Sequence, residues 1–398
     1  MLPRLLYCAF KWMYERDGHW YTTGGFPEFV TSLSSYFAEI RLMVPRGEDA
    51  PRNATRFAIP SNLEIFPTKP TFVRGFRPLE TYLWSLGTVS LFRRLQSESD
   101  IVLIAIPNSI SYLAFAPILD KPLVLLVAGD EFEVLSASGD FSYKLESASG
   151  LIVLRRIASR LLYDRSRLVI CRNERARRFI VDHYGIPASA VRSIFSGVRT
   201  DTFRPVDSEQ RSAVRASLGF SPREVVFGFV AEGFTQAKGA DALLEVFKTL
   251  HRSNPIARLL IVGSVPEYYQ SVIKGLHSVL SVGPISRDQL YMYYGAMDVF
   301  VCPSRSEGAP KVVMEAAACG IPVVATDVGG IPEMIENERT GFVVGVDDVC
   351  SMIRICRRLC EDRQLRSTMG NRARQLAESD FNFNSLVEKS ARAILEAL

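Results

Sequence analysis

Short, continuous apolar runs recur along the chain at residues 5–10, 40–44, 63–66, 101–106, 123–127 and 168–171. A second series follows at residues 225–230, 258–262, 298–302, 322–326 and 341–344. Runs of this length without polar alternation fit parallel strands buried on both faces. Helical patterns such as residues 241–252 lie between them, so βαβ units are the natural assembly. Two series imply two Rossmann-like, doubly wound α/β domains, whose ligands are expected beyond the carboxyl ends of the strands.

A length of 398 residues suits two such domains. The first series closes at Thr202-Phe203-Arg204-Pro205, and a polar stretch leads to the strand at Val225. The expected division is therefore 1–205 for an N-terminal domain and 206–378 for a C-terminal one. Residues 379–398 read as a final helix, with Phe383, Leu386, Val387 and Ile394 on an apolar face that returns to the N-terminal domain. No internal repeat or low-complexity tract stands out. Hydrophobic residues at 47% and charged residues at 23% exclude disordered and fibrous classes.

Seven cysteines without paired spacing do not form a disulfide framework, and a reducing, cytoplasmic setting fits them best. The first eighteen residues lack the small-residue cleavage site of a signal peptide. Residues 101–119 carry no charge, but Pro107, Asn108, Ser109, Ser111 and Pro117 break them into a strand, a turn and a short helix. No transmembrane helix is expected.

The net charge of +4 hides an asymmetry. Residues 1–205 hold 26 basic against 20 acidic residues (+6), and the remainder 21 against 23 (−2). Residues 151–180 alone carry nine arginines and two acids. Within 151–162, apolar positions alternate with Arg155, Arg156 and Arg160 at helical spacing. Such a segment suits either a solvated helix face or the peripheral contact of a cytoplasmic protein with an anionic membrane surface. Nucleic acid is excluded as a partner, because aromatic interleaving and binding motifs are missing.

The most informative stretch is DVFVCPSRSEGAPKVVMEAAACGIPVVAT, residues 298–326. It reads as a strand, a loop over 303–309 and a helix of about ten residues opening at Pro310, a residue favoured at the first helical position. Gly320 ends that helix. The first-turn N–H groups around Gly308, Ala309, Pro310, Lys311 and Val312 suit a phosphate. Gly308 lets a ligand approach the backbone. Lys311 opposes the helix dipole unless an anion lies near it. Glu307 and Glu315 flank the site, and carboxylates so placed suit hydroxyl groups. Taken alone, the two read equally as a solvated loop acid and a surface helix acid. Cys302 and Cys319 read as small buried hydrophobes rather than nucleophiles.

With its Glu-x7-Glu spacing, SEGAPKVVMEAAACGIPVVATDVGGIPEMIENERTGFVV resembles the signature of family-4-type retaining glycosyltransferases of the GT-B fold, two Rossmann-like domains facing a central cleft. Other parts follow in the family's order. Gly24-Gly25 resembles its glycine-rich loop, and SGVRTDTFRP (196–205) its interdomain segment. Lys238-Gly239 matches the lysine that reaches the donor diphosphate, and Val282-Gly283-Pro284-Ile285 the loop that holds the base. The resemblance implies that Glu307 lies by the donor sugar and Glu315 by the ribose. Members often have a histidine after the strand that matches PLVLLVAGD. Here Asp130 stands in that region, either as its catalytic replacement or as a turn residue. The family usually carries Gly-Arg five residues before the lysine; this chain has Glu232-Gly233 in AEGFTQAKG.

The resemblance implies a hexosyltransferase-type enzyme of polysaccharide biosynthesis that moves a sugar from a UDP-, GDP- or ADP-sugar to a hydroxyl of a glycan, lipid-linked or small-molecule acceptor, with retention. Neither metal nor further cofactor is implied: no Asp-x-Asp occurs, and no His/Cys/carboxylate cluster has ligand spacing. A nucleotide-sugar 2-epimerase and a non-catalytic paralogue are the rival readings.

Overall fold

The apolar runs form the strands of two sheets. A computed structural model describes residues 2–9, 11–22, 24–51, 54–69, 84–106, 114–127 and 160–398. The chain divides into one unit of Met1–Phe195 with Asn384–Leu398, and a second of Ser196–Phe383.

In the first unit the strands are β1 (Arg4–Ala9), β2 (Met13–Arg16), β3 (His19–Thr22), β4 (Glu39–Gly47), β5 (Thr55–Phe57), β6 (Leu63–Thr68), β7 (Ile101–Ile106), β8 (Leu123–Val127), β9 (Ser166–Cys171) and β10 (Val191–Ser193). Their order is β10-β9-β8-β7-β1-β4-β2-β3-β5, with β6 on β4. The sheet turns from parallel to antiparallel at β2, β3 and β5, an edge that the apolar runs do not foretell. Its cause is the Asp17-Gly18 dipeptide, with φ of 51° and 71°, which closes the β2–β3 hairpin in the left-handed geometry such turns require. Helices α1 (Phe26–Ser34), α2 (Val89–Ser97) and α3 (Glu174–Tyr184) cover the sheet. Helix α3 starts where Asn173 accepts a hydrogen bond from Ala176 N at 2.7 Å and stops at Gly185 in the left-handed conformation. Leu6, Val102, Ile104, Leu125, Phe92 and Phe115 form the core, the last two rings stacked at 4.2 Å.

In the described part of the arginine-rich segment, Arg160, Arg165, Arg167, Arg175 and Arg178 are exposed, and several of the arginines bind the protein's own acceptors. Arg167 donates to the backbone oxygen of Leu398 at 2.6 Å, tying β9 to the C-terminal helix Phe383–Leu395. Arg172 donates to Ile194 O and lies over the Phe29 ring. Arg177 reaches Glu174, Val191 O and Ala188 O, each at 2.9 Å. Arg160 pairs with Asp164 at 3.7 Å. Arg155, Arg156 and Asp130 lie outside the described residues. Among the described residues no helix is long and apolar enough to cross a membrane.

The second unit holds β11 (Val225–Gly233), β12 (Ala257–Ser264), β13 (Val279–Ser281), β14 (Val299–Cys302), β15 (Val323–Thr326) and β16 (Gly341–Val344). All are parallel, in the order β13-β12-β11-β14-β15-β16. Renumbered within the unit this is 3-2-1-4-5-6, the dinucleotide-fold order, whose topological switch point falls between β11 and β14. The helices are α4 (Ser208–Ser217), α5 (Ala240–Ser253), α6 (Glu267–Lys274), α7 (Leu290–Ala296), α8 (Lys311–Ala318), α9 (Ile331–Met334), α10 (Val349–Glu361) and α11 (Arg363–Asp380). Helix α5 shows why such segments form. Asp241 sits in its first turn and Arg252 in its last, matching the dipole. Leu243, Val246, Phe247 and Leu250 recur at helical spacing and are buried against Phe227 and Leu259.

Candidate functional site

A pocket of about 250 Å³ opens at that switch point. The ends of β11 and β14 form its floor, with Glu232, Gly233, Lys238, Ser304, Glu307 and Lys311 around it. Lys238 is carried by a single 3-10 turn, Gln236–Lys238, which ends at Gly239 with φ of +73°. A Cβ on Gly239 would lie 2.0 Å from Pro303 O, so the turn can press against the β14 loop only with glycine there.

The Lys238 ammonium donates to Glu307 Oε1 at 2.7 Å, and Ser304 Oγ donates to the same oxygen at 2.8 Å. Around this pair the loop is braced from several sides. Arg305 binds Asp241 at 2.6 Å and Asp347 at 2.6 Å, and its backbone N–H reaches Ala237 O at 2.9 Å. The guanidinium in turn holds the Asp241 carboxyl below the usual aspartate value. From below, Thr326 Oγ1 donates to Ser304 O. Gly330 N donates to Gly308 O at 2.7 Å, and a Cβ on Gly329 would lie 1.8 Å from Glu307 O. The glycine pair of DVGGIPE thus supports the Glu307 loop from beneath.

Helix α8 begins at Lys311, with Pro310 as its cap residue, one position later than the sequence suggests, and runs eight residues rather than ten. Proline at the cap has φ of −68° and extended ψ, which turns the chain into the helix without a side-chain cap. Lys311 lines the pocket at the positive end of this helix, as Lys238 does from the 3-10 turn.

Glu315, one turn further, is not a surface acid. It is 2% exposed, and Arg287 Nη1 at 3.0 Å and the Tyr294 hydroxyl at 3.1 Å both donate to its carboxylate. Arg287 also lies over the Phe203 ring at 5.3 Å. Burial, and then the Glu315 charge, raise the Tyr294 hydroxyl well above its ordinary value, keeping it a proton donor. Burial also pushes the Cys302 thiol up to about 12, which removes it as a nucleophile.

Of the residues singled out in the sequence, Lys238, Glu307, Pro310 and Lys311 line the pocket. Gly239, Gly308 and Ala309 shape its backbone. Ile285 is half-buried on the loop between β13 and α7, whose Gly283 O accepts from Gly263 N at 2.8 Å. Gly24, with φ of +71°, and Gly25 precede α1 in the first unit. Ser304, Arg305, Arg287, Tyr294 and Gly329 were not foreseen. Only Gly329 carried a local signal, as half of a glycine pair beside the motif. Among the described residues, no group of three or more His, Cys, Asp or Glu is placed to hold a metal ion.

The family model described as glycosyl transferases group 1 matches residues 210–376. The match covers the second unit's sheet and the pocket residues, less than half of the chain. Among curated relatives, D-inositol 3-phosphate glycosyltransferase of Streptomyces avermitilis is 32% identical over 213 residues, 50% of this chain and 45% of that protein. The chain spans about half the length of the curated relatives it matches. Among solved structures, sucrose-phosphate synthase from Thermosynechococcus elongatus superposes with a TM-score of 0.77 at 16% identity, covering 99% of this chain and 98% of that one. Anabaena HepE in complex with UDP gives 0.71 at 19% identity, covering 99% of this chain and 100% of that one. These likenesses show the fold, the two-domain GT-B class expected from the sequence.

Proposed function

We propose that the protein is a retaining glycosyltransferase that moves a sugar from a nucleotide-diphosphate sugar to a hydroxyl of a glycan, lipid-linked or small-molecule acceptor, without a metal ion. The observation that carries this reading is the Lys238–Glu307 pair in a pocket at the switch point of a dinucleotide-type sheet. A leaving diphosphate needs positive charge as it departs. Lys238, Lys311 and the first turn of α8 supply that charge from the protein itself. Glu307, fixed by Ser304, stands where it holds the ammonium before the donor arrives and faces the sugar afterwards. Glu315, buried and held by Arg287 and Tyr294, is assigned to the ribose hydroxyls. Gly24 and Gly25 are assigned to the donor, Ile285 to its base, and Asp130 to a catalytic role.

A nucleotide-sugar-binding protein without turnover is the second reading, favoured by Glu232-Gly233 where related transferases carry Gly-Arg. Incubation with UDP-, GDP- and ADP-sugars separates the two. Release of nucleoside diphosphate, with a product whose anomeric configuration by NMR matches the donor, supports transfer. Nucleotide binding without release from any donor supports the second reading, and inverted product removes the retaining mechanism.

A further inference from the structure

A second concave site lies in the same unit, at the opposite end of α8. Where Pro310 and Lys311 face the first pocket, the residues that follow the helix, including Gly320, line another of about 290 Å³. Arg211, Arg363 and Arg366 line it, and Asp298 is its one acidic lining residue. Asp298 is already neutralised, by Arg211 at 2.8 Å and by Arg215 at 2.9 Å. Three guanidiniums therefore line a pocket with a single carboxylate, and that carboxylate is shared with a fourth, the buried Arg215.

Hydrogen bonds do not remove this excess. Arg211 donates to Gly295 O and Met297 O, Arg215 to Ala296 O and Ser221 O, and Arg366 to Leu359 O and Cys360 O. Carbonyls satisfy donors but carry no net charge. Arg215 Nε is left buried without an acceptor. Arg363 is exposed and makes no ion pair among the described residues. Burial lowers the Arg211 guanidinium; Asp298 works against this, whereas Arg215, Arg366 and Arg363 add to it by like-charge repulsion. Arginine is the side chain best suited to fork-like recognition of phosphate oxygens, and an anion there relieves the mutual repulsion.

We propose that the pocket bounded by Arg211, Arg363 and Arg366 is a second binding site, separate from the Lys238 pocket, for a small phosphate-bearing anion. Roughly 12 Å of helix, the length of α8, separates the two, so substitutions can tell them apart. Inorganic phosphate is the probe, titrated calorimetrically in low-salt buffer into the full chain, into Arg363→Glu and into Lys238→Ala. Arg363→Gln is a second variant that avoids charge reversal, and unchanged melting temperatures establish that each variant is folded. The expected result is binding to the unsubstituted protein and to Lys238→Ala alike, weakened at least ~tenfold in both Arg363 variants. Absence of phosphate binding at millimolar concentrations overturns the proposal. So does binding that survives Arg363→Glu but disappears in Lys238→Ala, because the anion then occupies the first pocket.

Discussion

Lys238 Nζ and Glu307 Oε1, 69 positions apart in sequence, meet at 2.7 Å across the mouth of the switch-point pocket. The glycine at 239 and the Arg305 clamp bring their two loops together, so the pair is a product of backbone fit as much as of charge. An arriving diphosphate competes for the same ammonium, and the two residues therefore respond differently to substitution.

Replacing Glu307 with Gln keeps an acceptor for Ser304 and leaves Lys238 free to meet the diphosphate. Nucleotide binding is expected to be retained while sugar transfer falls about 100-fold or more. Lys238→Ala is expected to weaken nucleoside-diphosphate affinity by ~10–100-fold, the worth of one charge-assisted hydrogen bond. Calorimetry for binding and initial rates for transfer separate these outcomes. Equal loss of both quantities in Glu307→Gln contradicts the division of roles.

The departure at Gly233 permits a gain-of-binding test. A Cβ there would meet only Thr235 Cγ2, at 3.5 Å, an ordinary contact, and the residue is not among those with positive φ. An arginine is therefore accommodated at the end of β11, beside Glu232 in the pocket wall. Gly233→Arg is expected to tighten nucleoside-diphosphate binding about tenfold. Unchanged affinity means that position 233 does not face the diphosphate.

The two series of strands were legible because most of their runs are predominantly apolar, as burial on both faces demands. The β2–β3 hairpin was not, although its turn dipeptide Asp17-Gly18 is a strong local signal. Its strands read MYER and HWYT, mixing aromatic and charged residues, and no apolar run announces them. At the site, Glu307, Glu315 and Lys311 stood out within one motif, and Lys238 through a separate segment, AEGFTQAKG. Ser304, Arg305, Arg287 and Tyr294 did not, because each acts on a partner reached only after folding. Arg287 and Glu315 lie on different elements 28 residues apart. No periodicity links a loop arginine to a carboxylate inside a helix.

Gly239 tests whether the close approach of the two loops is built into the fold. Its φ of +73° disfavours any residue with a Cβ, and that Cβ would fall 2.0 Å from Pro303 O. Gly239→Ala is expected to destabilise the second unit by at least ~2 kcal/mol, lowering its melting temperature by about 4–8 °C. A melting temperature within a degree or so of the parent's shows that the turn relaxes freely and that backbone fit does not hold the two loops together.

The Arg305 clamp has a pH signature. Asp241 is held below the usual aspartate value, chiefly by its hydrogen bonds to Arg305. A carboxyl whose folded value is depressed contributes its full stability above the unfolded value, near pH 4, and loses it as pH falls through the folded value. Arg305→Gln removes this contribution at neutral pH, where its melting temperature is expected to lie furthest below the parent's. Below about pH 4 the two curves are expected to converge, as the parent's carboxyl takes up its proton. The guanidinium's bond to the backbone oxygen of Gln236 does not depend on the carboxyl's titration, so a small constant gap remains. A gap of unchanged size from pH 7 down to about pH 3 shows that the ion pair contributes nothing, and that Arg305 holds the loop through carbonyl contacts alone.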